Sequence, residues 1–529
     1  MASKPFLDLW ETLLPDFQAL VTGLLHDPDR GILVDDEWLL LDNENYRELQ
    51  LAYQILQPHA LTFATYLSSS LPALSDKYIL NLLHSATILL KEAERNVNIL
   101  QYESIGKRWR SVYSYAAFLV AISIIGYIIH SQINGHQESD SESEWSVQDV
   151  IYHLDFALIK TGGWPITREI HELLKFVDLR ILPLLDKEHG KLIDWKTEVE
   201  GWSRKSRSPI REISLKFPGE EVYTPTIPRW IEIYKRQLPI KLLGILDHWP
   251  AFDIPIKEGI VNSVDKQNVS NNFSDRKRSR WSSIPYLLSK TINGRRIVPV
   301  EIGKTYTDPD LQQKIMTIKE YIHAHLIQDN KSENATGNEE GIFGYLAQHN
   351  LLTQIPSLRD DICIPEYINY TIPISTSSPK ESNSYDEEEY DDDKEVKTTI
   401  NAWLGPTDTI TPLHTDNYHN IFCQVVGSKY VRLYPPSERE AMDPMGKDEK
   451  GVDMANTSSL PVHWVENDTF SPPSSSTSQE GVEIAEAGDK AVPDKEQEII
   501  RWRRFKEARY FEFVASEGDS IFFPGGGIT

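Results

Sequence analysis

The spacing of apolar residues changes period partway along this chain, and that change restricts the fold more than any single motif. Over the first 215 or so residues the apolar positions recur every three to four. Trp10, Leu13, Leu14, Phe17, Leu20, Val21, Leu24 and Leu25 trace one face of a helix. Residues 78–90 predict another, continuing through the more polar 91–95, and residues 166–174 a third. Between Ser203 and Pro228, Ser, Arg and Pro accumulate, as expected of a linker between folding units. Beyond it, short apolar segments punctuated by Gly and Pro take over, at 240–246, 296–302, 399–404, 420–426, 429–434, 508–514 and 519–523. Such a series predicts an all-β barrel or double sheet. The expected class is therefore α+β, with a helical region over 1–215 and a sheet domain over 216–529. Polar insertions near 262–280, 329–340, 371–395 and 437–495 interrupt the sheet segments.

The stretch 112–129 runs for 18 residues without a charge, the lower edge of what spans a bilayer. Its Ser, Ala, Gly and Tyr residues weaken that reading, and the neighbouring apolar helices need a partner to bury against. A core helix and no membrane contact are expected. The first residues lack the basic region, apolar run and small-residue cleavage site of a secretory signal. The basic cluster at 275–280 is read as solvated loop rather than an import signal. Two cysteines, Cys363 and Cys423, are too few for a disulfide framework or a thiolate metal cage. They fit a reducing compartment, so a nuclear or cytoplasmic location is expected.

A net charge of −25 disfavours direct nucleic-acid binding and suits a basic, histone-like protein partner better. Part of that charge is local: residues 386–395 hold eight acidic side chains against one lysine, a run that repels itself and stays solvated.

The chemistry concentrates in Thr409-Ile-Thr-Pro-Leu-His414-Thr-Asp416. On or just after a strand, alternation puts the His414 imidazole and the Asp416 carboxylate on one face. Joined by a distant second histidine, they would form the two-histidine, one-carboxylate face of non-haem Fe(II) oxygenases. Taken alone, His-X-Asp recurs often by chance. Lys429 begins a later segment in a mostly apolar setting, where a buried ammonium needs an anionic partner. A surface lysine after the Val426-Gly-Ser turn is the simpler alternative.

Several motifs in order resemble one family. Asn401-Ala-Trp-Leu-Gly-Pro406, the His414/Asp416 pair, Gln424-Val-Val-Gly-Ser-Lys-Tyr-Val-Arg-Leu-Tyr434 and Gly518-Asp-Ser-Ile-Phe-Phe-Pro524 look like successive motifs of a JmjC-domain, cupin-type oxygenase. Asp247-His-Trp-Pro-Ala251, Val298-Pro-Val-Glu-Ile-Gly303 and Gly344-Tyr-Leu-Ala-Gln-His349 are similar to the lysine-demethylase-8-like branch, described as histone-lysine demethylases and arginyl hydroxylases. The resemblance implies a double-stranded β-helix holding Fe(II) and the cosubstrate 2-oxoglutarate. By it, His414 and Asp416 match two metal ligands, and Lys429 matches the partner of the distal carboxylate of 2-oxoglutarate. Thr411, Tyr345 and Asn420 match the hydrogen-bonding groups around that molecule. Glu301, Tyr306 and Trp403 match the pocket for a substrate side chain, where a carboxylate between aromatics suits a guanidinium or ammonium group. For Glu301 a local ion pair with Arg295 or Arg296 is the plainer alternative, and Trp403 is equally readable as core.

The remaining histidines carry less. His419 reads as exposed at a strand start, His349 and His248 as packed and hydrogen-bonded, and His463 lies in an insertion.

The pattern departs from the family after Pro524, where Gly-Gly-Gly-Ile-Thr529 follows and Thr529 stands where the second metal-binding histidine is expected. The expectation is a β-helix lacking its last strands and a polypeptide that is inactive or insoluble, through a misread exon boundary, loss of catalysis, or a different residue completing the metal site. The rival expectation is a non-catalytic JmjC-like module for chromatin or protein interaction.

Overall fold

A computed structural model describes residues 76–99, 107–134, 145–188, 202–204, 214–252, 279–303, 311–329, 343–370, 398–407, 409–447, 453–460 and 494–527. The helix expected around residues 10–25, the acidic run at 386–395, Tyr306, His463 and Thr529 lie outside them.

The helical region is organised by the uncharged run. It lies within α2 (Lys107–Asn134), which packs against α1 (Asp76–Ile99) and α3 (Val147–Thr161). Ala116, Ala117, Phe118, Val120, Ala121, Ile122, Ile124 and Ile125 are all fully buried. A helix apolar all round must be covered all round, and 89% of its most apolar window is buried inside the structure. Its hydroxyls are satisfied internally. Ser123 donates to the Leu119 carbonyl at 2.7 Å. Thr161 donates to the Ala157 carbonyl at 2.6 Å, so its oxygen accepts from Ser114 at 2.7 Å. A capping box of Ser146 and Asp149 opens α3 and Gly162, at φ 71°, closes it. The helix α4 (Thr167–Phe176) continues through a π turn (Val177–Ile181) into Leu182–Glu188.

The expected linker is fastened down. Trp202–Arg204 forms β1, antiparallel to β6 (Ile327–Asp329), and the Glu512 carboxylate accepts from the backbone amides of Lys216 and Phe217 at 2.7 and 3.3 Å.

Two four-stranded sheets build the second half. One runs in the order β2 (Glu220–Tyr223), β3 (Ile240–Leu243), β12 (Ser520–Phe523), β9 (Asn420–Cys423). Its first pair is parallel and the others antiparallel. The other runs β5 (Gln312–Thr317), β4 (Ile297–Gly303), β7 (Phe343–His349), β8 (Ala402–Leu404), antiparallel throughout. A separate antiparallel pair joins β10 (Lys429–Leu433) to β11 (Phe511–Ala515). A helical region followed by a sheet-rich domain is thus the observed class.

Alternation along these strands decides what faces where. Val298, Val300, Leu346, Ile240, Leu242 and Phe522 point into the main core beside Trp230 and Tyr321. Val431, Leu433, Phe513, Ala515 and Ile521 build a second, smaller cluster with Phe422 and Phe523. Glu301, Tyr345, Asn420 and Lys429 lie on strand faces that the main core leaves free.

The described part of the 437–495 insertion is not a detached loop. Thr457 bridges His414, Ser458 N donates to the Leu413 carbonyl at 2.8 Å, and Thr415 N donates to the Asn456 carbonyl at 2.7 Å. The helix Asp494–Glu507 follows, seating Phe505 beside Tyr434, Met442 and Leu460.

Candidate metal and cosubstrate site

The segment bearing His414 and Asp416 is clamped between the 453–460 stretch and the turn after β12, where Gly526 N donates to the Asp416 carbonyl at 2.8 Å. Within it the two side chains meet, His414 Nε2 standing 3.8 Å from Asp416 Oδ1. The tautomer follows from chemistry. His414 Nδ1 lies 3.0 Å from the Pro412 carbonyl, which can only accept, so Nδ1 carries the proton. In the neutral ring Nε2 then carries the lone pair, and it is the atom turned toward Asp416. This is how proteins orient a metal-binding imidazole from behind. The Asn420 amide donates to Asp416 Oδ2 at 3.0 Å, orienting the carboxylate as well.

Both donors fit a divalent first-row metal in kind and mutual distance. Among the described residues, no group of three His, Cys, Asp or Glu side chains comes together. His419 does not supply the third. It is partly buried rather than exposed, stacked on Phe522 with ring centroids 5.7 Å apart and edge-on to Tyr234. Its Nδ1 accepts from Gly525 N at 2.9 Å, and burial lowers its pKa, so the ring is a neutral latch on that turn.

Lys429 is not a surface lysine. It lies two residues before Val431 on β10 and so shares the face turned toward Phe422 and Phe523. Its Nζ stands 5.8 Å from the Phe422 ring centroid, and burial pushes the ammonium below the usual lysine range. Among the described residues it has no carboxylate partner. In register β9 and β12 pair Phe422 with Ile521 and Asn420 with Phe523, so Asn420, Phe422 and Lys429 look into one space.

Glu301 and Tyr345 are directly opposed on β4 and β7 and therefore lie side by side. Burial raises the carboxyl pKa of Glu301, and burial together with that neighbouring charge pushes the Tyr345 phenol up to about 12. A side chain at Gly405 would overlap the Tyr345 ring, so the absence of a Cβ there is what lets the tyrosine lie flat on β8. The alternative partners of Glu301 are engaged elsewhere. Arg296 is committed to Asp155 at 2.5 Å, Arg295 contributes its charge to Asp178, and Glu301 has no cation among the described residues.

Trp403 is 46% exposed and so is not core. Thr411 is exposed without a described hydrogen bond, so the structure does not join it to Lys429 or Tyr345. His349 is packed as expected, its Nε2 donating to Gln354 Oε1 at 2.5 Å, whereas His248 is exposed rather than packed. Sequence reasoning missed Asp155, Gln354 and the 453–460 stretch, whose partners are distant in the chain and leave no local signal.

Comparison with known proteins places the chain in a family. Residues 229–526 match a family described as a cupin-like domain. The chain is 32% identical to lysine-specific demethylase 8 of Xenopus tropicalis over 477 residues, covering 83% of each. It is 27% identical to lysine-specific demethylase 8 of Danio rerio over 445 residues, covering 83% of this chain and 82% of that protein. A 40-residue segment, 8% of this chain and 13% of the other, is 45% identical to the human bifunctional peptidase and (3S)-lysyl hydroxylase JMJD7. The chain belongs to the JmjC-domain oxygenases of the cupin-like family.

Proposed function

We propose that this chain descends from, and retains the cosubstrate pocket of, an Fe(II)- and 2-oxoglutarate-dependent protein oxygenase acting on a basic side chain of a histone-like protein in the nucleus or cytoplasm. One observation carries the reading: the His414 Nε2 lone pair, set by the Pro412 carbonyl, beside an Asp416 carboxylate held by Asn420. His414 and Asp416 would hold iron, and Lys429 would pair with the far carboxylate of 2-oxoglutarate, relieving its unpaired charge. Glu301, beside Tyr345, would receive the substrate cation. With metal and cosubstrate bound, the centre supplies oxidative hydroxylation of a C–H bond: a side-chain methylene keeps the hydroxyl, and an N-methyl group loses formaldehyde. The names of the relatives include both demethylase and hydroxylase, and both outcomes suit the same pocket.

A second reading is favoured by the two-donor metal site. Among the described residues only His414 and Asp416 come together, and a site with two protein ligands would hold iron weakly and turn over little, leaving a JmjC-like interaction module. Anaerobic titration with Fe(II), or with Mn(II) read by electron paramagnetic resonance, separates the two. Uptake that disappears in His414→Ala supports the metal site. Equal behaviour of wild type and His414→Ala removes it and leaves the module. Robust succinate formation from 2-oxoglutarate by this polypeptide would overturn the expectation of inactivity.

A further inference from the structure

A buried carboxylate links the helical region to the sheet domain, beside the Gln148 side chain, whose Nε2 donates to the Arg295 carbonyl at 3.0 Å. Asp155, on α3, is fully buried. Its oxygens accept from Arg296 Nε at 2.8 and 3.0 Å, from Arg296 Nη2 at 2.5 Å, from the Ile297 amide at 2.9 Å and from Gln354 Nε2 at 2.9 Å. Gln354 Nε2 also donates to the Ile297 carbonyl at 2.8 Å, and Gln354 Oε1 accepts from His349 at 2.5 Å. Arg296 Nη2 closes the ring by donating to the Gln354 carbonyl at 2.7 Å. Both Asp155 oxygens and the Nε and Nη2 of Arg296 are thus occupied, and a buried network so satisfied specifies one arrangement rather than several.

Its location gives it consequence. Ile297 is the first residue of β4 and His349 the last of β7. The ladder between these strands covers only Glu301↔Tyr345, Ile302↔Gly344 and Gly303↔Phe343. Where that ladder stops, the Asp155–Gln354–His349 chain takes over and ties the two strand ends together. Glu301 makes no ion pair of its own among the described residues, so its backbone alone positions its carboxylate.

We infer that Asp155 is a positioning residue for the Glu301–Tyr345 pair, making the helical region a structural part of the substrate pocket; this rests on reading Glu301 as the substrate-facing carboxylate. The test uses the full chain with Asp155→Asn and, separately, Gln354→Met, which leaves the Asp155–Arg296 contact in place. Amide hydrogen exchange over residues 297–303 and 343–349 is expected to quicken about tenfold or more in each variant, with 429–433 and 511–515 unchanged. Binding of N-acetyl-arginine amide should weaken about tenfold, while Mn(II) affinity at His414 and Asp416 stays as in wild type.

Exchange that quickens equally along the whole chain, or in neither variant, overturns the inference. Should Asp155→Asn fail to fold, Gln354→Met alone decides it by the same exchange criterion. Equal binding of the arginine probe by wild type and Glu301→Gln would overturn the substrate reading of Glu301 instead, a result the exchange data do not share.

Discussion

Replacing Lys429 by Met tests the cosubstrate pocket through stability rather than turnover. Among the described residues the ammonium, carried on β10, is opposed by no carboxylate and stands 5.8 Å from the Phe422 ring. A cation–π contact at that range contributes about 0.5–1 kcal/mol. Keeping an unpaired ammonium partly desolvated costs about 2 kcal/mol, the low end of the several kcal/mol assigned to a fully buried ion. Methionine fills similar volume without the charge, so Lys429→Met should be more stable by about 1 kcal/mol, or about 2–4 °C in a unit of this size.

The pH dependence has a defined sign. Burial lowers the pKa of Lys429, so the folded chain binds that proton less tightly than the unfolded chain. The penalty is complete below the lowered value and fades as pH rises through it toward the ordinary lysine value of about 10.4. Thermal unfolding of both proteins at pH 7 and pH 10, with and without 2-oxoglutarate, reads the effect. The variant's advantage should shrink at pH 10, and 2-oxoglutarate should stabilise only the wild type. A Lys429→Met protein less stable than wild type at pH 7 without ligand would refute the reasoning.

Three further outcomes follow from the same geometry. Gly405→Ala forces the Tyr345 ring from β8 and should cost about 1–3 kcal/mol in chemical denaturation, with weaker 2-oxoglutarate binding by calorimetry. Asn420→Ala releases Asp416 Oδ2 and should lower Mn(II) affinity about 10–100-fold while moving the melting temperature little. Because burial raises the Glu301 pKa, a cationic side-chain probe should lose affinity with falling pH before an ordinary glutamate near 4.3 would protonate, and Glu301→Gln should bind it weakly at every pH.

What could be read in advance was what is encoded locally. The seven apolar segments became β3, β4, β8, β9, β10, β11 and β12 because alternation is a property of adjacent residues. The strand β5, Gln-Gln-Lys-Ile-Met-Thr, escaped that reading: its mostly polar side chains carry little pattern, and a six-pair ladder to β4 holds it in place. Likewise β1 exists only through β6, some 125 residues away. The metal pair was visible as a spacing. The Pro412 carbonyl, which assigns the tautomer of His414, was not, because a loop's path is not written in side-chain type. His419 read as exposed because nothing near it in the sequence announces Phe522 or Gly525.

Three ionisable groups separate structural from functional burial in this fold. Asp155 is the deepest and is saturated with donors, so its charge serves the architecture. Glu301 and Lys429 are shallower, opposite in sign and burdened by desolvation, and neither neutralises the other. A fold selected only for stability would pair them or replace them with apolar side chains, since each unpaired charge is a standing cost. Among the described residues neither has a counter-charge, and under the proposed function an anion beside Lys429 and a cation beside Glu301 would each supply one. An oxo-diacid and a basic side chain have those signs, and the His414–Asp416 pair belongs to the same sheet domain.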